Sequence, residues 1–349
     1  MGPRIGFDVS PLVRPHPRGI VRLVEGLAGE LERRGVLSIV RLSPEPGEGL
    51  RAWRQVRLPR MARELELEGV HSPVSAFPWR GRFARVQTIH ELPWRSGVAE
   101  NADLRHRLWA ALGPVRADRV VCASEHGARQ VRRRLLPGAS KVRVCPWGAG
   151  LPFADEPPPG VVDELVLARY RQGEDPFVLC PGAVREKKNL PAVLRGLAEL
   201  RRRGGARLHL VVSGAHTAAL RRDLGLASQL GLAGVVSTPG EVPETDLPAL
   251  YRLASAVAVL SHSEGFAFPV LEAMASGTPV VVPRGSAQAE LAGEAGIEAD
   301  PGDAASVAEG LERALRERAA LRAVLTARAA EFTWQRSARC IESVWMEIL

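Results

Sequence analysis

The chain has no apolar stretch approaching the ~18–20 residues that a bilayer crossing needs. Its longest, such as ASAVAVL ending at Leu260, fall well short of that. The N-terminal MGPRIGFDVSP lacks a charged segment followed by an apolar core, so it does not read as a secretion signal, and the expectation is a cytoplasmic chain. Four cysteines (Cys122, Cys145, Cys180, Cys340) stand singly, without C-x-x-C or C-x-x-H spacing, and are expected to be buried reduced thiols rather than metal ligands. No G-x-G-x-x-G follows a strand-like run, which argues against a dinucleotide-dependent oxidoreductase. Neither G-x-S-x-G nor a P-loop occurs, so a serine hydrolase or P-loop enzyme has no support. Lysine is also scarce: of 47 basic residues only Lys141, Lys187 and Lys188 are lysines.

What remains is an ordinary globular composition, 46% hydrophobic and 25% charged over 349 residues, enough for two domains with their own cores. The net charge of +8 is unevenly divided. Residues 1–150 carry +12 and residues 151–349 carry −4. A basic first half suits an acidic partner such as a phosphorylated acceptor or an anionic membrane face, although an arginine-rich composition alone would produce the same excess.

Short β-like runs alternate with helical patterns, the signature of a parallel α/β architecture. A first series (RIGFDV, LSIVRL, GVHSP, RVQTIH, RVVCAS, KVRVCP) reads as one sheet, and the segment after Gly19 sets Ile20, Leu23, Leu27 and Leu31 on one helical face. The pattern lapses around 149–176, a candidate connection. It then resumes as a second series (PFVLCPG, RLHLVVSG, VVSTPG, ASAVAVLS, TPVVVP). In such sheets ligands collect at the carboxyl ends of strands, so chemistry is sought just after each one.

The strongest motif is HSEGFAFPVLEAMASGTPVVVP (262–283). It sets Glu264 at a strand end and Glu272 on the first turn of the next helix. The backbone N–H groups of Gly265, Phe266, Ala267 and Phe268 at that helix start form a natural cradle for a diphosphate. Two carboxylates beside an anion site are best used to accept hydrogen bonds from hydroxyls; alternatively Glu264 caps the helix and Glu272 is solvated. A second cluster, Arg185, Lys187 and Lys188, follows the FVLCPG strand and precedes a helix, where a cation can meet a departing diphosphate or simply be solvated.

On these residues the chain resembles the retaining glycosyltransferases of family 4. Glu264 and Glu272 match the family's E-x7-E element, and the likeness continues through CPGAVREKKNLPAVLRGL (180–197), LPALYRLASAVAVLS (247–261), RGIVRLVEGL (18–27) and TIHELPW (88–94). The resemblance implies the GT-B fold: two Rossmann-like, doubly wound parallel-sheet domains facing across a cleft. Residues 1–155 would bind the acceptor and residues 160–330 the nucleotide sugar, with helix 335–349 packing back on the first domain. It implies a metal-independent transferase with no cofactor beyond its co-substrate, a nucleotide diphosphate sugar, and with a glycan, lipid-linked or small-molecule acceptor. No nucleic acid is implied.

By the same resemblance Lys188 takes the phosphate-binding lysine position, and Ala183 stands where the family has arginine, with Arg185 as its substitute. His90 would act on the donor sugar, and Gly19 and Gly182 would let backbone approach the donor. Val242 would meet the base. No D-x-D occurs, so the metal clamp of the other main glycosyltransferase fold is missing. A nucleotide-sugar epimerase, a silent glycan-binding protein and a glycoside hydrolase using the two glutamates are the alternatives. Finally, RAWRQVRLPRMARELEL (51–67) interleaves arginines with Trp53, Val56, Leu58 and Met61. It reads as a solvated face over a packed core, or as a peripheral contact at the inner membrane face, with Pro59 interrupting any continuous helix.

Overall fold

The computed structural model describes residues 2–14, 16–92, 107, 112–133, 138–149, 153–170 and 175–349. Pro93 and Trp94 of the 88–94 stretch, Gly150, and 151–152 and 171–174 of the connection lie outside the described residues. These residues group into two compact units. One holds the described residues up to Ala149 together with Phe332–Leu349, and the other runs from Phe153 to Glu331. Among the described residues no helix is long and apolar enough to cross a membrane.

The first unit is a six-stranded parallel sheet. In chain order its strands are β1 (Arg4–Asp8), β2 (Ser38–Leu42), β3 (Gly69–Ser72), β4 (Ala84–Thr88), β5 (Arg119–Cys122) and β6 (Val142–Val144), and they lie in the order β2-β1-β3-β4-β5-β6. Helix Arg18–Arg34 buries Leu23, Leu27 and Leu31, as their spacing requires. It stops at Gly35, whose left-handed φ of 66° lets its N–H bond back to Leu31.

The stretch 51–67 corrects one expectation. Pro59 does not break the helix, because the π turn Trp53–Arg57 precedes it and Leu58 bonds back to Trp53. The wider turn accommodates a residue that has no N–H to give and would otherwise crowd the preceding turn. Trp53, Leu58 and Ala62 point into the core. The buried Arg54 guanidinium donates to Asp8 (2.9 Å) and Ser10 (2.8 Å), which makes this a packed element with a solvated arginine face.

The last helix, Trp334–Met346, seats on this unit with two tryptophans. A Cβ at Gly26 would come within 2.2 Å of the Trp334 ring, and one at Gly69 within 2.2 Å of Trp345. Arg34 holds Glu342 through two 2.8 Å bonds. The expectation of four reduced thiols is corrected here, since Cys145 and Cys340 form a disulfide with a Cα–Cα distance of 5.7 Å. The two lie 195 residues apart and meet only because the C-terminal helix returns to the end of β6. Cys122 and Cys180 are free, and burial pushes both thiols up to about 12, so neither is a nucleophile at neutral pH.

His71 on β3 is fully buried, stacked on Phe7 (ring centroids 4.9 Å) and within hydrogen-bond reach of Thr88, with Nδ1 unpartnered. Burial lowers it from the ordinary histidine value to about 3. Between the unfolded pKa of about 6.5 and that value the unfolded chain takes up a proton that the native chain refuses. Stability therefore falls as pH falls through this window. From this residue alone the loss at pH 5 is about 2 kcal/mol. Urea denaturation at pH 7 and pH 5 should show a steeper loss for the native chain than for His71→Gln; equal losses would remove the assignment.

The second unit is also a six-stranded parallel sheet. Its strands are β7 (Phe177–Pro181), β8 (His209–Ser213), β9 (Val236–Gly240), β10 (Ala256–Ala258), β11 (Val280–Pro283) and β12 (Ile297–Ala299), in the order β12-β11-β10-β7-β8-β9. Helices Leu190–Arg202 and Ala304–Ala330 bury one face. The connection is folded onto this unit: its short helix Asp163–Leu167 is fixed by a buried two-bond pair between Arg252 and Asp163 (2.7 and 2.8 Å). The Tyr170 hydroxyl also bonds Asp246.

Candidate functional site

Strand order in the second sheet decides where chemistry can sit. The chain leaves β7 toward β8 on one side and leaves β10 toward β11 on the other, so the connections after these two adjacent strands diverge. Their carboxyl ends are the switch point at which doubly wound sheets hold ligands.

The loop after β7 turns at Gly182 (φ +90°), passes through the tight turn Glu186–Lys188 and enters helix Leu190–Arg202 from Asn189, in a left-handed conformation (φ 53°). Its floor is close-packed. A Cβ at Gly214, just past β8, would meet the Gly182 and Ala183 backbone at 2.4–2.6 Å. Two bonds stitch this loop to the one after β10: the Asn189 side-chain amide donates to the Leu260 carbonyl (3.2 Å), and the His262 N–H donates to the Lys187 carbonyl (2.8 Å).

That stitching brings Glu264 to the lysines. Lys188 Nζ lies 2.8 Å from Glu264 Oε1, and Lys187 Nζ lies 3.5 Å from Oε2. Burial would push the Glu264 carboxyl up, and the two ammonium groups outweigh it, holding the carboxyl well below the usual carboxylate range. Lys187 was read from sequence only as a member of the cationic cluster, and its pairing with Glu264 appears only in the fold. The cluster's signal was the adjacency of two lysines in an arginine-rich chain. Arg185 is half-buried at the entry to the tight turn, its carbonyl accepting from Lys188 N–H.

Beyond Glu264, Gly265 and Ala267 are buried, and the Phe266 and Phe268 rings meet edge to face at 5.2 Å. Helix Phe268–Ala275 starts from Ala267, which has no side chain able to cap it, a helix start suited to an anion. Because this helix begins at Phe268, Glu272 falls on its second turn and not its first. Its buried carboxylate accepts from the Tyr251 hydroxyl (2.6 Å), a partner that the sequence did not reveal. A carboxylate can accept several hydrogen bonds at once, those of hydroxyls among them. At the ends of β8 and β9, Ser213 has a buried hydroxyl without a partner, and Val242 is buried just after Gly240.

Two of the residues singled out from sequence belong to the first unit. Gly19 lies in the first turn of helix Arg18–Arg34. His90 follows β4, with Nε2 donating to the Pro73 carbonyl (2.7 Å) and the Trp147 ring at 6.5 Å. A carbonyl only accepts, so Nε2 is the donor in this contact.

Known proteins bear out the architecture. Sucrose-phosphate synthase of Thermosynechococcus elongatus superposes with a TM-score of 0.78 at 18% identity, covering 99% of each chain. Anabaena HepE, solved in complex with UDP and glucose, gives 0.72 at 16% identity over 99% of this chain and 100% of its own. The fold is GT-B. In sequence, the O-antigen chain mannosyltransferase B of Escherichia coli is 30% identical over 174 residues, 49% of this chain and 45% of that protein. The D-inositol 3-phosphate glycosyltransferase of Nocardia farcinica is 32% identical over 245 residues, 64% of this chain and 51% of that protein. The chain thus spans about half the length of these curated relatives. The family model described as glycosyl transferases group 1 matches residues 168–332, the segment that carries the lysine pair, both glutamates and Tyr251.

Proposed function

We propose that this chain is a retaining glycosyltransferase that takes a sugar from a nucleoside diphosphate and passes it to a hydroxyl of a glycan, lipid-linked or polyol acceptor. The observation that carries the reading is the meeting of Lys188 and Glu264 at the switch point of the second sheet. In this scheme Lys188 and the uncapped helix start at Phe268 neutralise the charge that grows on the diphosphate as the glycosidic bond breaks. The scheme calls for no metal, since these groups supply the positive charge. Glu264 accepts from hydroxyls of the transferred sugar, and Glu272, steadied by Tyr251, accepts from ribose hydroxyls. The acceptor attacks from the face the diphosphate leaves, and a diphosphate oxygen takes its proton. The parts given to Gly19, His90, Arg185, Gly182 and Val242 rest on the family resemblance.

Further support comes from the neighbours' own ligands and names. HepE was solved with UDP, with UDP-glucose, and with UDP and glucose. The curated relatives are named for a mannosyl transfer and for transfer to an inositol phosphate. The basic first half fits an acidic or lipid-linked acceptor at a membrane face, although Trp53 and Leu58 of the 51–67 segment are used in the core.

The test is a panel of UDP-, GDP-, ADP- and dTDP-sugars, screened by mass spectrometry for binding and for slow release of the free sugar. One nucleotide class should bind and break down. Conversion of the donor to its epimer without an acceptor would favour the epimerase, and no binding at all would end the reading. Within it, Tyr251→Phe removes a hydrogen bond to a buried carboxylate, worth about 1.5–3 kcal/mol, and should weaken donor binding by about tenfold or more in titration calorimetry. An unchanged affinity would detach Glu272 from the ribose.

A further inference from the structure

Two ammonium groups face one carboxylate at the switch point, and they are not equivalent. The Lys187 side chain is 6% exposed and the Lys188 side chain 20%. Lys187 is held from behind by its own backbone, whose carbonyl accepts from His262 N–H in the same loop that carries Glu264. Its ammonium therefore stays with Glu264 as long as the two loops stay stitched. Lys188 is the more exposed of the pair, and an ammonium has three donors, so bonding Glu264 Oε1 leaves it able to bond an incoming anion as well.

The charge count gives this asymmetry a consequence. With one lysine and one glutamate the pair would be neutral, and an arriving diphosphate could take the lysine only by leaving a buried carboxylate uncompensated, which is costly. With two lysines the site carries a net positive charge, and Glu264 keeps a counter-ion when Lys188 turns to the ligand.

We propose that Lys187 is a positioning residue that acts through Glu264, serving as its standing counter-ion and thereby making the Lys188 ammonium available to the diphosphate. The inference rests on the donor reading above and deepens it. Lys187 itself does not touch the diphosphate in this arrangement.

The test is a double-mutant cycle read as nucleoside diphosphate affinity by titration calorimetry, with UDP, GDP, ADP and dTDP as the probes. Lys187→Met should weaken binding of the preferred nucleotide about tenfold when Glu264 is present. In the Glu264→Gln background the same change should cost less than about twofold, because no buried anion is left to compensate. Lys187→Arg should restore binding, since it returns the charge, and melting curves on every variant identify those that fold. Should Lys187→Met not fold, Lys187→Gln takes its place in the cycle. Equal losses in both backgrounds would mean that Lys187 contacts the phosphates directly and would overturn the proposal, as would unchanged binding with Glu264 present. Failure of the unmodified chain to bind any of the four nucleotides is a different result, which removes the donor reading itself.

Discussion

Lys188→Ala and Glu264→Ala are each expected to lower turnover of the donor sugar by about 10²–10³-fold, the usual effect of removing one preorganised group that meets developing charge. The two losses should differ in character. Lys188 is partly exposed and its alanine variant leaves Glu264 still compensated by Lys187, so the fold should survive with little change in melting temperature. Glu264→Ala leaves two ammonium groups crowded against each other without an anion, which should lower the melting temperature as well as the rate. Steady-state kinetics with the donor found by the nucleotide-sugar panel, paired with melting curves, measures both. Near-normal turnover in both variants would refute their roles.

Trp345→Ala should destabilise the chain by about 3–5 kcal/mol, the range for truncating a fully buried aromatic. Trp345 is 1% exposed, its ring lies where a Cβ on Gly69 would fall, and it sits 6.4 Å from the buried His71 ring. Removing it opens a cavity between the C-terminal helix and β3 that a parallel strand buried on both faces cannot collapse to fill. Chemical denaturation gives the value directly. A loss under about 1 kcal/mol would mean that the helix is held chiefly by its rim, through Arg34–Glu342 and the Arg119 and Arg143 bonds to Glu347.

Some of the strands legible in the sequence, such as VVVP at Val280–Pro283 and RVVC at Arg119–Cys122, are buried on both faces, and a parallel strand covered on both sides reads as an unbroken apolar run. Among the described residues the strand not read was β12. Ile297–Ala299 is only three residues long, with the exposed Glu298 in its middle, and edge strands of that kind leave almost no pattern. Pro59 misled because a proline rule assumes an α-helical hydrogen-bond ladder, and a π turn changes which carbonyl is left over. Cys145 and Cys340 gave no spacing signal because the distance that matters for a disulfide is through space.

For the candidate site, the motifs lie in two loops that the fold joins by hydrogen bonds. The residue types at 182–189 and 262–272 and the absence of other nucleotide-binding signatures were all present in the linear chain, because backbone turns, helix starts and charge are local properties. Which cation reaches Glu264 was not local. Lys188 and Glu264 are 76 residues apart, and they meet because β10 lies beside β7, an order set by how the whole sheet packs. The same packing delivered Tyr251 to Glu272 and Lys187 into the pair. Local composition thus set which chemical groups each loop carries, and the sheet, by choosing its neighbours through burial, decided which of those groups meet.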